Sequence, residues 1–200
     1  MSARLVVLVS GTGTTLQALL EATADPAYGA CVVAVGADRT GIAALERASI
    51  ARIATFVVPL EAFADRCAWD VALARVLAAH EPHLVVCAGF MKVLGPAVLE
   101  RFGGRIVNTH PALLPAFPGA HPVRDTLRYG VKVTGATVHL VDAGVDTGPV
   151  IGQVPIEVRD DDDEGSLLAR IQVAERPLLV DAVRRLVAGY RVEGRRVVLT

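Results

Sequence analysis

Apolar and polar residues follow one another along the chain in blocks that predict strands and helices in turn. In the first half, short apolar runs typical of buried strands occur at 5–9, 31–35, 52–58, 83–87 and 106–107. Between them, apolar residues spaced three and four apart predict helices, the longest from Glu61 to His80. Strands that alternate with helices are joined by right-handed crossovers, so this half predicts a parallel sheet with helices on both faces.

The second half carries longer strand patterns at 131–141 and 150–158, and it is expected to close with one strand at 192–199. A helix is predicted from Ser166 to about Ala188, with a restart at Pro177. The acidic run before Ser166 suits a helix N-terminus, where negative charge is favourable. The whole chain predicts one α/β domain, 1–200, whose halves meet near residue 100 (about 1–100 and 101–200).

Composition and charge narrow the class of protein. Apolar residues make up 52% and charged residues 20% of the chain, which is typical of a globular domain. A net charge of −1 gives no electrostatic footprint for nucleic acid or an anionic membrane. The three cysteines include no CxxC pair, and no Cys/His spacing suggests zinc. We therefore expect a cytoplasmic protein that holds no metal.

Polar side chains follow the fifth apolar run, in the segment 105–115. Successive side chains of an extended strand alternate faces, so Asn108 and His110 are expected on one face and Thr109 on the other. Pro111 prolongs the extended geometry at His110. An amide and an imidazole would then stand side by side at a strand's carboxyl end, where open α/β sheets bind ligands. Such a pair can hold a developing oxyanion and manage a proton, which indicates an active site.

A glycine-rich turn, 10–15, separates the first apolar run from a helix. Free N–H groups at a helix start favour an anion such as phosphate, although a tight turn without any ligand explains the same residues. Asp38, after the second run, suggests a rival, a dinucleotide-binding unit with Asp38 on the ribose. Leu16 stands where that motif needs a third glycine, which weakens the rival. The segments 11–15, 88–92 and 108–110 are expected to converge at one sheet edge.

Several other side chains can be interpreted either as ordinary structural residues or as functional ones. Asp146 is either a turn residue or a partner that orients His110 and stabilises its protonated form. His139 is most simply a satisfied or half-exposed strand histidine. Arg66 is most simply a solvated charge, and the apolar residues near Met91 are more often core than ligand contacts.

Four segments together resemble the folate-dependent phosphoribosylglycinamide formyltransferases: 9–17, 88–94, 108–115 and 146–149. Asn-x-His-Pro with a downstream Asp-x-Gly-Pro is specific for the formyltransferase fold, and the likeness runs nearly end to end. The resemblance implies a single-domain formyltransferase fold, Rossmann-like, with a mostly parallel sheet, helices on both faces and an antiparallel C-terminal part. It also implies formyl transfer from 10-formyltetrahydrofolate to the amine of phosphoribosylglycinamide in purine biosynthesis. The related methionyl-tRNA formyltransferases and formyltetrahydrofolate deformylases carry an additional domain, for which a chain of this length is expected to have no room.

The resemblance also implies roles for individual residues. The catalytic residues would be Asn108, His110 and Asp146. The phosphoribosylglycinamide would be bound by Gly13, Thr14, Thr15, Gln172 and Glu175. The folate would be bound by Arg66, Met91, Lys92, Val93, Leu94, Asn108, Ala143, Gly144, Val145 and Asp146, with Arg66 at its glutamate tail. Neither metal nor covalent intermediate is implied, and the expected partners are small-molecule substrates, with a homodimer left open.

Three alternatives stay open at this point. The same catalytic residues could deliver water to the formyl group, as in a deformylase. The acceptor could be another amine, such as an amino sugar nucleotide. A non-catalytic NAD-binding domain could explain 11–13 and Asp38, but it would leave Asn108, His110 and Asp146 without a role.

Overall fold

The computed structural model describes residues 2–200. The chain folds into two compact units, one reaching to Val107 and the other running from Asn108 to Thr200. The strand Ile106–His110 therefore passes through the boundary. No helix among residues 2–200 combines the length and the apolar character needed to cross a membrane.

The first unit alternates parallel strands with helices, as the sequence predicts. Its elements are β1 (Ala3–Val9), α1 (Thr14–Thr23), β2 (Ala30–Ala37), α2 (Ala43–Ile50), β3 (Ala54–Val57), α3 (Arg66–Ala79), β4 (Leu84–Cys87), α4 (Pro96–Phe102) and β5 (Ile106–His110). The strand order is β3-β2-β1-β4-β5. β1 lies parallel to both β2 and β4, and Leu5–Val9 are completely buried, as expected for a central strand covered on both faces.

The long helix predicted from Glu61 to His80 is wrong in its first turn. A short 3-10 turn occupies Leu60–Ala62, and α3 begins only at Arg66. Asp65 is the cause, because its carboxylate accepts a hydrogen bond from the Ala68 N–H at 2.8 Å and so fixes the helix start there.

The second unit combines antiparallel strands with one long helix. After β5 its elements are α5 (Pro122–Tyr129), β6 (Val133–Leu140), β7 (Val150–Glu157), α6 (Glu164–Ala188), β8 (Tyr190–Glu193) and β9 (Arg196–Leu199). β6 and β7 are antiparallel, as are β8 and β9. α6 packs Leu167 and Ile171 into a core with residues of α5 and β6. The expected α/β class, with a mostly parallel sheet and an antiparallel C-terminal part, is confirmed.

Two element predictions in this unit need correction. α6 does not restart at Pro177 but continues through it, and it begins at Glu164 behind a capping box formed by Asp163 and Ser166. The single strand predicted at 192–199 is a hairpin that turns at Gly194, whose φ is +61°.

Candidate active site

β5 places its polar side chains on alternate faces. On one face, the Asn108 amide nitrogen lies 3.2 Å from Nε2 of His139. On the other, the Thr109 hydroxyl donates to the carboxylate of Glu175 on α6 at 3.1 Å. His110 is buried, and it lies on the side of Asn108, because Asp146 contacts both His110 and the His139 ring beside Asn108. The alternation predicted from the sequence is therefore confirmed.

Asp146 lies against His110, although the two residues are far apart in the sequence. Its Oδ2 is 3.3 Å from Nδ1 of His110 and also accepts a hydrogen bond from the Gly119 N–H at 2.8 Å. The Asp146 backbone has a φ of +54°, a conformation that non-glycine residues rarely adopt. The loop holds the Asp146 backbone in this uncommon conformation and places its carboxylate against the His110 imidazole. The expected contact between the two residues is therefore present.

His139 joins the same group, which the sequence did not indicate. It is only 2% exposed and its ring nitrogens have partners, so the expected satisfied strand histidine is confirmed and the half-exposed alternative is wrong. Nδ1 donates to the Leu140 carbonyl at 2.9 Å, which leaves Nε2 facing Asn108 and, at 3.6 Å, Oδ1 of Asp146. We call Asn108, His110, His139 and Asp146 the polar cluster.

Burial and hydrogen bonding act in opposite directions on the charges of the polar cluster. Burial lowers the pKa of His110, and the Phe117 carbonyl, 2.8 Å from Nε2, and the Asp146 carboxylate offset part of that shift. Burial opposes ionisation of Asp146, but hydrogen bonds from His139 and Gly119 hold its pKa below the ordinary value. Asp146 is therefore a carboxylate at neutral pH. Both ring nitrogens of His110 face hydrogen-bond acceptors, the Phe117 carbonyl and the Asp146 carboxylate. In the protonated ring each N–H therefore has a partner.

Phe117 and Gly119 were missed by the sequence reasoning. They belong to the irregular segment after β5, and they contact the polar cluster through backbone atoms, which carry no residue-specific signal. Phe117 has a φ of +54°, and its ring meets Tyr129 edge-on at 5.8 Å. For His139 a weak signal existed, because it lies in a strand only seven positions before Asp146.

α6 carries the two residues expected to meet the phosphoribosylglycinamide. Glu175 is buried and fixed by Thr109, whereas Gln172 is partly buried on the neighbouring turn. A separation of three residues puts both side chains on one helix surface, as expected.

The glycine-rich turn begins α1 in the first unit. Gly13 is the N-cap residue, with a φ of +72°, and it makes no side-chain capping hydrogen bond. The Arg47 guanidinium donates to the Thr12 carbonyl at 2.9 Å, which brings a positive charge beside the turn. A helix N-terminus without acidic residues in its first turn and with an arginine nearby suits a phosphate.

Replacing Gly13 by alanine is expected to lower the free energy of unfolding by at least about 2 kcal/mol. A Cβ at Gly13 would lie 2.6 Å from the Ala44 Cβ and 2.8 Å from its Cα, in addition to the cost of the positive φ. Gly41→Ala is the matched control, because Gly41 has a φ of +70° but open space around its Cβ position. Urea denaturation measures both, and an equal loss in the two variants would show that the contact with Ala44 has no effect.

The residues expected at the folate differ in exposure. Met91 is 73% and Val93 57% exposed, whereas Leu94 is buried. Arg66 is exposed, yet its guanidinium donates to the Val93 carbonyl, so the description of Arg66 as a simple solvated charge is incomplete. Lys92 places Nζ 3.3 Å from the Asp38 carboxylate.

Asp38 is engaged by the protein's own side chains. It is 2% exposed, and its carboxylate also pairs with Arg39 at 2.9 Å. Burial opposes its charge, but Arg39, Ser10 and Lys92 together hold its pKa below the ordinary value. These contacts use the acceptor capacity that a ribose would need, which disfavours the dinucleotide interpretation.

The loop that carries Asp146 is held at both ends. Asp142 accepts hydrogen bonds from the Gly144 N–H at 3.1 Å and from the Thr147 hydroxyl at 2.6 Å. Arg195, in the β8–β9 turn, donates to the Thr147 carbonyl at 2.9 Å. Val145, between these anchors, is 51% exposed.

Among residues 2–200, no three His, Cys, Asp or Glu side chains are grouped so that they could hold a metal ion. The polar cluster supplies an amide donor, two imidazoles and one carboxylate, a set suited to proton transfer and to stabilising a negative oxygen.

The chain is similar to known proteins over nearly its whole length. A family model described as formyl transferase matches residues 3–183. A phosphoribosylglycinamide formyltransferase of Mycobacterium tuberculosis is 60% identical over 194 residues, which are 96% of this chain and 89% of the relative. A trifunctional purine biosynthetic protein adenosine-3 of Drosophila melanogaster is 45% identical over 93% of this chain and 14% of its own length. The crystal structure of glycinamide ribonucleotide transformylase 1 from Symbiobacterium toebii superposes with a TM-score of 0.96 at 41% identity, covering 99% of this chain and 94% of that one.

Proposed function

Because the chain belongs to the formyl transferase family, we propose that it transfers the formyl group of 10-formyltetrahydrofolate to the amine of phosphoribosylglycinamide. The products are phosphoribosyl-N-formylglycinamide and tetrahydrofolate, and the reaction belongs to purine biosynthesis. The 60% identity to a relative named phosphoribosylglycinamide formyltransferase supports the substrate assignment. The observation that carries the chemistry is the contact between Asp146 and His110 beside Asn108.

The reaction needs a donor for the oxygen of the formyl group. When the amine attacks the formyl carbon, the carbonyl oxygen gains negative charge. The Asn108 amide nitrogen lies 3.2 Å from Nε2 of His139, and an N–H of this amide can donate to that oxygen. In its protonated form His110 adds positive charge and a proton.

Asp146 has two functions in this proposal. Its negative charge favours the protonated form of His110, against the effect of burial. It also helps to move the amine proton towards the folate nitrogen that leaves, directly or through water. The chain's own residues thus account for proton transfer and oxyanion stabilisation without a covalent enzyme intermediate.

Substrate binding is assigned separately in each unit. In the first, the backbone N–H groups of Gly13, Thr14 and Thr15 would bind the phosphate, while Arg66 and Met91–Leu94 would bind the folate. In the second, Gln172 and Glu175 would contact the phosphoribosylglycinamide, and the loop 143–146 would contact the folate. Exposed Met91, Val93 and Val145 supply apolar surface suited to a pteridine.

The cellular setting follows from the same assignment. Free Cys31, Cys67 and Cys87 fit a reducing cytoplasm. Burial raises the pKa of Cys87 to about 12, which keeps that thiol protonated and unreactive. The partners in this proposal are small-molecule substrates.

One assay separates this function from its alternatives. Purified protein with 10-formyltetrahydrofolate and glycinamide ribonucleotide is expected to change the folate absorbance only when the amine acceptor is present. Formate release without acceptor would identify a hydrolase instead. Turnover with an amino sugar nucleotide but not with glycinamide ribonucleotide would show that the acceptor is a different amine. NAD binding in a titration would support the dinucleotide interpretation.

A further inference from the structure

The backbone of residues 89–95, which we call the 89–95 loop, is held by side chains on two sides. At its beginning, the Ser10 hydroxyl accepts a hydrogen bond from the Met91 N–H at 2.9 Å. At its end, the carboxylate of Asp70 accepts from the Gly95 N–H at 2.7 Å. The side chains of Met91 and Val93, between these anchors, remain exposed. The loop therefore combines a fixed backbone with apolar side chains free for a ligand.

Asp70 is the more buried of these anchors and makes more hydrogen bonds. It is 2% exposed, and besides Gly95 it accepts hydrogen bonds from the N–H groups of Ala97 at 2.7 Å and Val98 at 3.4 Å. One carboxylate from α3 therefore satisfies three backbone donors where the 89–95 loop enters α4. A carboxylate is acceptor-only, whereas an amide of the same shape would turn donor hydrogens towards some of these N–H groups.

Arg66 lies four residues before Asp70 and thus on the same surface of α3. Its guanidinium donates to the Val93 carbonyl and lies 5.6 Å from the centre of the Trp69 ring. Trp69 is anchored in turn, because its indole N–H donates to the Val58 carbonyl at 2.9 Å. One helix surface therefore fixes both the carbonyl of Val93 and the N–H of Gly95.

We propose that Asp70 is a positioning residue for the formyl donor, which acts by fixing Gly95 so that Met91–Leu94 keep the conformation that binds the folate. This inference rests on the proposed function, in which the 89–95 loop contacts the folate. Gly95 itself is adapted to this contact, since a Cβ there would lie 2.6 Å from the Asp70 carboxylate. A side chain at position 95 would therefore push the loop away from α3.

The test is Asp70→Asn in steady-state kinetics of the full chain. The KM for 10-formyltetrahydrofolate is expected to rise about 10-fold, the size of one lost charge-assisted hydrogen bond. The kcat and the KM for glycinamide ribonucleotide are expected to change far less. Calorimetric titration with 5-formyltetrahydrofolate should show a matching loss of affinity, which does not depend on turnover.

Asp25→Asn is the matched control. Asp25 also caps backbone, accepting from the Ala27 N–H at 2.9 Å, but it is exposed and caps only the short turn Pro26–Tyr28. It is expected to lower the melting temperature without a change in either KM. If Asp70→Asn likewise lowers only the melting temperature, or changes both KM values equally, Asp70 has a purely structural role and the proposal is wrong.

Met91→Ala separates this failure from failure of the folate assignment. If Met91→Ala raises the KM for 10-formyltetrahydrofolate and Asp70→Asn does not, the loop binds folate and Asp70 does not position it. If neither variant changes that KM, the folate does not use the 89–95 loop, and both statements fail.

Discussion

Replacing Asp146 by alanine is expected to lower kcat by at least about 1000-fold, the size typical of a carboxylate that orients a catalytic imidazole. Its carboxylate contacts His110 at 3.3 Å, His139 at 3.6 Å and the Gly119 N–H at 2.8 Å. Alanine would leave two buried imidazoles without their negative partner. It would also remove the group that opposes the effect of burial on His110.

The charge effect can be measured separately from turnover by NMR titration of His110 in Asp146→Asn. The pKa of His110 is already lowered by burial, and the Asp146 carboxylate raises it in part, so removing the charge should lower it further. Asp142→Asn is the control, because it weakens the hydrogen bonds that hold the same loop but keeps the Asp146 carboxylate. If Asp142→Asn loses as much kcat as Asp146→Ala, the shape of the loop matters and the charge does not.

The pH dependence of the folding stability is expected to depend on the same two groups, His110 and Asp146. Because the pKa of His110 is lower folded than unfolded, the unfolded state binds more protons below about pH 6.5, and stability falls as the pH drops through that range. Asp146 has a lowered pKa as well, so its contribution is present at neutral pH and is lost only in stronger acid. Both groups therefore favour the folded state at neutral pH over acid.

The sequence predicted the first unit and β5 well because their signals are local. A two-residue period at Asn108 and His110 needs no tertiary information, and it assigned both faces of the strand correctly. The part that His139 plays in the site was not predicted, because the signal for it is not local. Residues Thr134–Leu140 of β6 are all buried, so no alternation of polar and apolar positions shows which face His139 occupies. Only the path of the loop to Asp146 decides that.

The element errors also have local causes. Proline lacks the N–H that would bond the carbonyl four residues earlier, which suggested a break, yet α6 continues through Pro177. β8 and β9 are separated by only two turn residues, Gly194 and Arg195, so the two short strands lie within the one segment predicted as a single strand. Contacts through the backbone of Phe117 and Gly119 could not be read from side-chain types at all.

Replacing Asn108 by alanine is expected to lower kcat on the order of 100- to 1000-fold, the usual cost of removing one oxyanion donor. The amide is already oriented before substrate arrives. Nδ1 of His139 donates to the Leu140 carbonyl, which fixes the ring, and Nε2 of that ring lies 3.2 Å from the Asn108 amide nitrogen. That contact turns the amide nitrogen of Asn108 towards the other residues of the polar cluster. Alanine removes the donor without adding bulk, and the KM for glycinamide ribonucleotide should change little.

A second substitution tests whether donation or shape accounts for the loss. Asn108→Asp keeps the shape but brings a negative charge to the place where the formyl oxygen becomes negative, so it should be at least as inactive as Asn108→Ala. His139→Ala keeps the Asn108 donor but removes the ring that orients it and that also contacts Asp146, so its loss should be smaller than that of Asn108→Ala. Stopped-flow absorbance with saturating substrates measures the transfer step in each variant. Near-normal turnover in Asn108→Ala would mean that the oxyanion is stabilised by another group and that the amide serves only to hold His139.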